Sequence, residues 1–167
     1  MNNKRFNNII HPFNPIYNAE SKILILGSFP SIKSRENDYY YGNMRNRFWE
    51  IISTLYGEQF PKTIKDKEIL LLNHHIALYD VIYSCDIIKS YDSSIENVVP
   101  SNLSSIIKNS KIDNIYTNGN KAHDLYQKYL KEELMINDFK LPSTSPANAR
   151  YTLDMLMESW SLIKDRR

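Results

Sequence analysis

Hydrophobic residues follow two different periods along the chain. Short apolar runs rich in β-branched residues predict buried strands. Apolar residues spaced three and four positions apart predict amphipathic helices. The predicted strands are 22–27, 76–83, 113–118 and 139–141. The predicted helices run from Arg47 to near Gly57, over 64–73, from a Ser101 cap through 107, and around 122–129 and 153–160.

Strands that alternate with helices predict βαβ units and a mainly parallel sheet. Ligands of such sheets bind beyond the carboxyl ends of the strands. The loops after Gly27, Asn118 and Leu141 are therefore the candidate places for a site. No repeat or linker divides the chain, so we expect one domain over 1–167. Residues 1–20 are polar and contain prolines, and we expect them to form an irregular surface arm.

The first candidate loop, 28–45, is longer than most connections inside a domain, and such loops are usually functional or disordered. It holds three adjacent tyrosines, and its cations and the one just after it are Lys33, Arg35, Arg45 and Arg47. Aromatic rings among cations are typical of surfaces that stack on bases and bind phosphates. The alternative is that the tyrosines close the edge of the core and the charges are solvated.

The loop after the fourth strand, 141–150, is rich in small hydroxyl residues and prolines. These residues make a stiff, slim and polar turn, which could enter a minor groove and bond to phosphates. The alternative is an ordinary turn that leads into the last helix.

Composition narrows the class of protein. The chain is 42% hydrophobic and 24% charged, which excludes intrinsic disorder and predicts a single core. One cysteine excludes an internal disulfide and a four-cysteine metal site, and it suits a reducing compartment. Only four glycines are present, and no phosphate-binding glycine motif appears.

Charge and targeting signals add little. The formal net charge is +2, so any binding of nucleic acid must rest on local sites. The four histidines are scattered without metal-ligand spacing, and we expect neither a metal nor a cofactor. No signal peptide and no membrane-spanning run is evident, so we expect a cytoplasmic protein without membrane contact.

Five segments share a pattern with a known family: 27–31, 40–49, 76–85, 118–119 and 143–148. In this order they resemble the uracil-DNA glycosylase superfamily, and above all its hypoxanthine-DNA (deoxyinosine) glycosylase branch. The resemblance covers roughly residues 20–165. It implies a three-layer α/β/α sandwich around a four-stranded parallel sheet. It also implies a monomeric, monofunctional DNA glycosylase of base excision repair that needs neither metal nor cofactor and hydrolyses the bond to a flipped, deaminated base.

The chain departs from the family pattern at three places. Phe29 stands where mismatch-specific uracil glycosylases carry Asn, which argues against ordinary uracil activity. Asn43 and Met44 replace the usual His-Pro, and Tyr79 replaces a usual Trp. Hypoxanthine is therefore the expected base. The alternatives are uracil or another deaminated base, a catalytically silent nucleic-acid-binding module, and a small-molecule enzyme that uses the same cleft.

The resemblance assigns the chemistry to a few side chains. Asn46 is the expected catalytic residue, whose amide carbonyl would orient water or the leaving base; its alternative role is to cap the helix that follows. Tyr41 would stack on the flipped base and Phe29 would floor the pocket, or both pack in the core. Asn118 would bond to the base edge, or form an Asn-Gly turn. Asp80 would anchor the pocket, or make a structural hydrogen bond.

The DNA contacts expected from the resemblance lie mainly in the loop after the fourth strand, 141–150. Hydroxyl residues would hold the phosphates that flank the flipped nucleotide, and the residues after them would fill the gap left in the base stack. The phosphate-binding set is Ser31, Ser143, Thr144 and Ser145; the gap-filling set is Pro146, Ala147 and Asn148. Ala147 is a small wedge, which predicts weak penetration of duplex DNA. Arg150 and Lys33 would contact phosphates, or are merely solvated.

Overall fold

A computed structural model describes residues 5–89 and 91–165. Its strands are β1 (Arg5–Ile10), β2 (Ile23–Gly27), β3 (Ile76–Asp80), β4 (Ile82–Ile88), β5 (Glu96–Pro100), β6 (Asn114–Asn118) and β7 (Asp138–Leu141). Its helices are α1 (Ile32–Glu36), α2 (Phe48–Leu55), α3 (Ile64–Asn73), α4 (Leu103–Lys108), α5 (Asn120–Tyr129), α6 (Lys131–Leu134) and α7 (Leu153–Trp160). Short 3-10 turns cover Asp92–Ser94 and Ser161–Lys164.

The centre of the molecule is a four-stranded parallel sheet in the order β3-β2-β6-β7. Every residue of β2 and β3 is buried, because helices flank the sheet and leave neither face of these strands to water. Helices α2 and α7 pack against each other, with the rings of Phe48 and Trp160 edge to face at 5.9 Å. The predicted α/β fold with a central four-stranded parallel sheet is confirmed.

A second sheet, β1-β4-β5, is antiparallel and was not predicted. Residues 5–10 belong to it, so the expectation of an irregular arm is wrong for this part of 1–20. Phe6 pairs with Ile87 and Ile10 with Ser84, and the register shifts at a bulge between Phe6 and Ile9. β1 is mostly exposed and lacks a regular alternation of apolar and polar residues, and its hydrogen-bond partners lie about 80 positions away, so no local signal revealed it.

The predicted strand 76–83 is in fact two strands that belong to different sheets. The chain leaves the parallel sheet at Val81, whose N–H donates to the carbonyl of Gly27 at 2.9 Å and whose carbonyl accepts from Ser101 at 2.8 Å. Val81 is fully buried, so the hydrophobic run continues through the break. Periodicity alone could not locate it.

One helix was not predicted, and two predicted helices begin at a different residue than expected. α1 lies inside the predicted loop 28–45 and is capped by the Ser31 hydroxyl. α4 is capped by Asn102, because the hydroxyl of Ser101 instead donates to the carbonyl of Asp80 at 2.8 Å. α2 begins one residue after Arg47, which takes the cap position without a side-chain bond.

Candidate active site

A cleft of about 470 Å³ opens beyond the carboxyl ends of β2, β3 and β6. This is the edge of the sheet at which the sequence predicted a site. Predicted site residues from five separate segments of the chain meet around it. Those that line it are Phe29, Ser31, Tyr41, Asn46, Asp80, Asn118, Ser145 and Ala147.

Asn46 and Asn118 are joined through the side chain of Thr144. The Asn118 amide donates to Thr144 Oγ1 at 3.0 Å, and its carbonyl oxygen accepts from the Thr144 N–H at 3.0 Å. The Thr144 hydroxyl in turn donates to Asn46 Oδ1 at 2.8 Å. Three loops are therefore held in one hydrogen-bonded chain at the wall of the cleft.

The orientation of the Asn46 amide follows from its partners. Its Oδ1 accepts from the Phe48 N–H at 2.9 Å and from the Thr144 hydroxyl at 2.8 Å, which uses both lone pairs of the oxygen. Asn46 thus bonds to the start of α2, as its alternative role predicted, and it also lines the cleft, where its catalytic role stays a prediction. The group it can offer to a ligand is its Nδ2 donor rather than the carbonyl.

Arg47 ties the loop before α2 to the 144–151 loop. Its guanidinium donates to the backbone carbonyls of Ser145 at 2.9 Å, Asn148 at 3.2 Å and Tyr151, and its backbone N–H donates to Thr144 O at 3.1 Å. The sequence placed Arg47 among cations suited to phosphates. In the structure its donors are used inside the protein, so it acts as a clamp between the two loops.

Tyr41 stacks on Phe48, with ring centroids 4.2 Å apart and planes at 25°. One face of the Tyr41 ring is therefore covered, and a base would use the remaining surface. Its hydroxyl is buried and forms no hydrogen bond of normal geometry with any described residue. Burial raises the pKa of Tyr41, the charge of Asp80 adds to the rise, and the Asn118 amide opposes it. The hydroxyl consequently stays protonated.

Asp80 ends β3 and is only 4% exposed. Its Oδ2 pairs with Nε2 of the buried His11 at 2.6 Å. Its Oδ1 lies against Gly27, so closely that a β-carbon at that position would collide with it. Asp80 therefore fulfils the structural alternative, since it bonds inside the protein, and also lines the cleft.

The model of the Uracil DNA glycosylase superfamily matches residues 15–164 of this chain. The chain belongs to this superfamily. It is 32% identical over 142 residues to a protein from Methanosarcina acetivorans named hypoxanthine DNA glycosylase, covering 84% of this chain and 89% of the relative. A protein of the same name from Methanosarcina barkeri is 33% identical over 70 residues, which is 41% of this chain and 44% of the relative.

A solved structure agrees with this assignment. The solution NMR structure of a Methanosarcina acetivorans protein, provisionally called a uracil DNA glycosylase, superimposes with a TM-score of 0.76. The two chains are 30% identical, and the match covers 96% of each. The uracil-DNA glycosylase resemblance stated from the motifs is therefore confirmed.

Four predicted DNA-binding residues of this glycosylase-superfamily chain do not line the cleft. Thr144 is 0% exposed and its hydroxyl serves Asn46, so the expectation that it contacts a phosphate is wrong. Asn148 donates to the Ser143 carbonyl at 3.0 Å, and Ser143 Oγ accepts from the Ser145 N–H at 3.1 Å. These bonds stiffen the loop. Arg150 is exposed to solvent and so remains available to a phosphate.

Sequence reasoning missed several residues of the candidate site. His11 lies outside the matched range and 69 positions from Asp80, so no spacing pointed to it. Tyr91, Asp92 and Ser93 form part of the cleft wall, because the β4–β5 connection of the unpredicted sheet passes over it. The HPF tripeptide that begins at His11 was the only available signal, and it has no chemical meaning by itself.

Neither metal ligands nor a membrane anchor emerges from the described part of the chain. Within 5–89 and 91–165, no three His, Cys, Asp or Glu side chains are gathered so that they could hold a metal ion. The helices of the same ranges are all too short or too polar to cross a membrane.

Proposed function

We propose that this chain is a DNA glycosylase that removes hypoxanthine from deoxyinosine by hydrolysis of the N-glycosidic bond. The observation that carries the proposal is the convergence of Asn46, Tyr41 and Asn118 on one cleft. A cleft of about 470 Å³ lies in the range of small-ligand sites and is large enough for a single base. The names of the two Methanosarcina relatives support hypoxanthine as that base.

A base inside a duplex cannot reach the end of the sheet, so the nucleotide must be rotated out of the stack. The exposed surface of Tyr41 and the half-buried Phe29 offer aromatic contact to the extruded base. The Nδ2 of Asn46, which has no partner among the described residues, would donate to an acceptor of the base as negative charge develops on it. A positioned donor of this kind stabilises the transition state more than the ground state.

Hydrolysis without a covalent enzyme intermediate suits the side chains around the cleft. Among the described residues that line it, no lysine is present that could form a Schiff base with the sugar. Cys85 is a free, buried thiol, and burial raises its pKa to about 11, so it is a poor nucleophile at neutral pH. We therefore propose a monofunctional glycosylase that leaves an abasic site.

The site needs no residue from a second copy, since every group used above comes from one chain. We propose that the protein acts as a monomer on damaged DNA. The reduced thiol and a DNA substrate fit a cytoplasmic location. Sedimentation of the protein with and without an oligonucleotide tests the monomer: a dimer that forms at the concentrations used for activity contradicts it.

The decisive experiment is release of free base from matched oligonucleotides that contain one deoxyinosine, deoxyuridine or deoxyxanthosine. We expect hypoxanthine to be released fastest, and the product strand to be cut by alkali. Faster release of uracil would reassign the substrate within the same class. Tight binding without release from any of the three would show a silent nucleic-acid-binding module instead.

A further inference from the structure

The attacking water needs a hydrogen-bond acceptor, and the amide oxygens of both candidate asparagines at the cleft already have donors. Asn46 Oδ1 has two donors, Phe48 N–H and the Thr144 hydroxyl. Asn118 Oδ1 accepts from the Thr144 N–H. The side chain of Phe29 has no polar group. The amides of the site can therefore donate to the base more readily than they can hold water.

Asp80 supplies the missing acceptor. It lines the cleft, and its two oxygens face different partners: Oδ2 meets His11, and Oδ1 lies on the side of Gly27 and the Tyr41 hydroxyl. Asp92 is the other carboxylate of the wall, but it lies on an exposed turn. Asp80 is thus the one buried carboxylate among the described residues that line the cleft.

His11 fixes the direction of this carboxylate. The Phe13 backbone contacts His11 Nδ1 through both its N–H, at 3.1 Å, and its carbonyl oxygen, at 3.0 Å. On the other side of the ring Nε2 faces a carboxylate, which can only accept, so Nε2 carries a proton and donates it to Asp80 Oδ2 at 2.6 Å. Four aromatic rings surround the imidazole, the nearest being Tyr79 at 4.7 Å. The ring cannot rotate freely, and the hydrogen bond holds Oδ1 toward the cleft.

We propose that Asp80 is the general base that orients and deprotonates the attacking water, and that His11 is the residue that positions it. This inference rests on the proposed glycosylase activity. The water oxygen bonds to C1′ of the sugar while the C1′–N9 bond breaks and its electron pair leaves with the base. The water proton passes to Asp80 Oδ1, and the departing base takes a proton from solvent. Asp80 then returns its proton to solvent.

Several titratable groups lie near Asp80, and most of them do not change charge in the pH range of the assay. Tyr40, Tyr41 and Tyr79 face it, and burial raises the pKa of each, so all three stay neutral across the useful pH range. His11 and Asp92 remain. If Asp80 is the base, the rate falls on acidification as its carboxylate is protonated.

The first test is the single-turnover release of hypoxanthine by Asp80→Asn, which keeps the shape but cannot accept the proton. We expect a rate loss of about 10²- to 10⁴-fold with unchanged affinity for an abasic-site oligonucleotide. The matched control is Asp138→Asn, because Asp138 also pairs with a histidine, His123, at 2.7 Å but begins β7 at the other edge of the sheet. A wild-type rate in Asp80→Asn overturns the inference.

The second test separates positioning from folding and does not require Asp80→Asn to fold. His11→Gln keeps an N–H donor for Oδ2, whereas His11→Leu removes it. Loss of a donor to a carboxylate raises its pKa. We expect the acid limb of the pH–rate profile to move to higher pH in His11→Leu, with a rate loss of roughly 10- to 100-fold, and to be restored in His11→Gln. If the acid limbs of the pH–rate profiles of His11→Leu and His11→Gln coincide, the role of His11 is overturned. The acid limb would then report another group, for example Asp92.

A failure of the proposed glycosylase activity can be distinguished from a failure of the roles assigned to Asp80 and His11. If the wild-type protein releases no base from any lesion, the proposed function fails before a variant is made. If it releases base and the variants above behave like wild type, only the assignment of Asp80 and His11 fails.

A second, independent observation concerns Met44, whose side chain is 99% exposed. It lies at the tip of a turn closed by the Asn46 N–H and the Asn43 carbonyl at 2.8 Å, and the Asn43 side chain accepts from the Arg45 N–H at 3.0 Å. The tip is therefore held rigidly two residues from Asn46. An apolar side chain left in water at this place gains nothing in the free protein.

We infer that Met44 is a wedge that enters the base stack when the nucleotide is flipped. Flexible apolar side chains, methionine among them, serve this purpose in other DNA-bending proteins. Ala147, which lines the cleft, is too small to fill the gap alone. This inference also rests on the glycosylase activity.

The test compares duplex with single-stranded deoxyinosine substrates. We expect Met44→Ala to lower the rate on the duplex about 10-fold and to leave the single strand unaffected, while Met44→Leu retains both rates. The control is Met135→Ala, because Met135 is 84% exposed but lies at the end of α6, outside the cleft. An equal effect of Met44→Ala on both substrates, or no effect on either, overturns the inference.

Discussion

At the scale of single residues, the direction of a hydrogen bond decides what a side chain can do. Asn46 could serve as donor or acceptor, and its contacts with Phe48 and Thr144 take up the acceptor side. The side chain is then held with its amide nitrogen as the group available to the substrate. An amide does not ionise, so this orientation of the Asn46 side chain does not depend on pH.

Asn46→Asp and Asn46→Ala test this directly. Asp keeps an oxygen for the Phe48 N–H and the Thr144 hydroxyl, so we expect Asn46→Asp to fold like wild type. It lacks the N–H donor and adds a negative charge, so base release should fall by at least about 10²-fold in single turnover. Asn46→Ala should show a similar loss.

The comparison variant is Asn109→Ala, since Asn109 is an exposed amide at the end of α4, outside the cleft. It should cleave at the wild-type rate. Near-wild-type turnover by Asn46→Ala would remove Asn46 from the mechanism.

Tyr41 offers a prediction about stability. Its buried hydroxyl has no hydrogen bond of normal geometry among the described residues, and an unsatisfied buried polar group costs about 1–3 kcal/mol. Tyr41→Phe removes that group and keeps the stack on Phe48. We expect the free energy of unfolding to rise by about 1 kcal/mol in urea titrations, with binding of the base retained. A clear loss of stability would show that the hydroxyl is satisfied by water.

At the scale of elements, the site depends on contacts between two loops and is not formed by either loop alone. The turn before α2 holds the candidate catalytic amide, and the loop before α7 closes over it. Arg47 connects the two through three backbone carbonyls of the 144–151 loop. Its fixed, planar array of donors suits several carbonyls at once, which a lysine cannot match.

Arg47→Lys should therefore loosen the 144–151 loop without removing positive charge. We expect base release to fall roughly 10- to 100-fold, because small displacements of catalytic groups are costly. Hydrogen exchange should increase in this loop and not in the central sheet. Arg45→Lys is the matched control, since Arg45 is exposed on the same turn. If both variants keep the wild-type rate and exchange pattern, the clamp has no functional role.

At the scale of the whole molecule, a net charge of +2 favours binding of DNA through a few local contacts. The exposed cations on the segments that line the cleft or adjoin its lining residues are Lys33, Arg45 and Arg150. Affinity should accordingly depend on a small number of phosphate contacts and on the fit of one extruded base. Discrimination would then come from the cleft rather than from long-range attraction.

The salt dependence of binding measures this number. Three phosphate contacts predict a slope of about −3 in a plot of log affinity against log salt concentration. Fluorescence anisotropy with a duplex that carries an abasic site gives this slope, and Arg150→Gln should lower its magnitude by about 1. A slope steeper than about −6 would contradict a local interface and indicate a wider basic surface.

Local sequence determined the elements whose signals are local. Continuous apolar runs such as 22–27 indicate strands buried on both faces. The loops after Gly27 and Asn118 directly follow such runs, so their position at the carboxyl edge of the sheet could be predicted from the sequence. The motif 40–49 indicated the resemblance to the uracil-DNA glycosylase superfamily and identified Asn46 as the candidate catalytic residue. These features are recognisable because the residues that specify them are neighbours in the chain.

Only the tertiary structure decided which groups meet. β1 forms because β4 supplies its hydrogen bonds, His11 finds Asp80 across 69 positions, and Arg47 reaches carbonyls about 100 residues away. Each contact brings together groups that are uninformative alone, and its geometry exists only once the two sheets have packed. The sequence predicted which residues belong to the site, and the packing decided which hydrogen-bond partners each of them has.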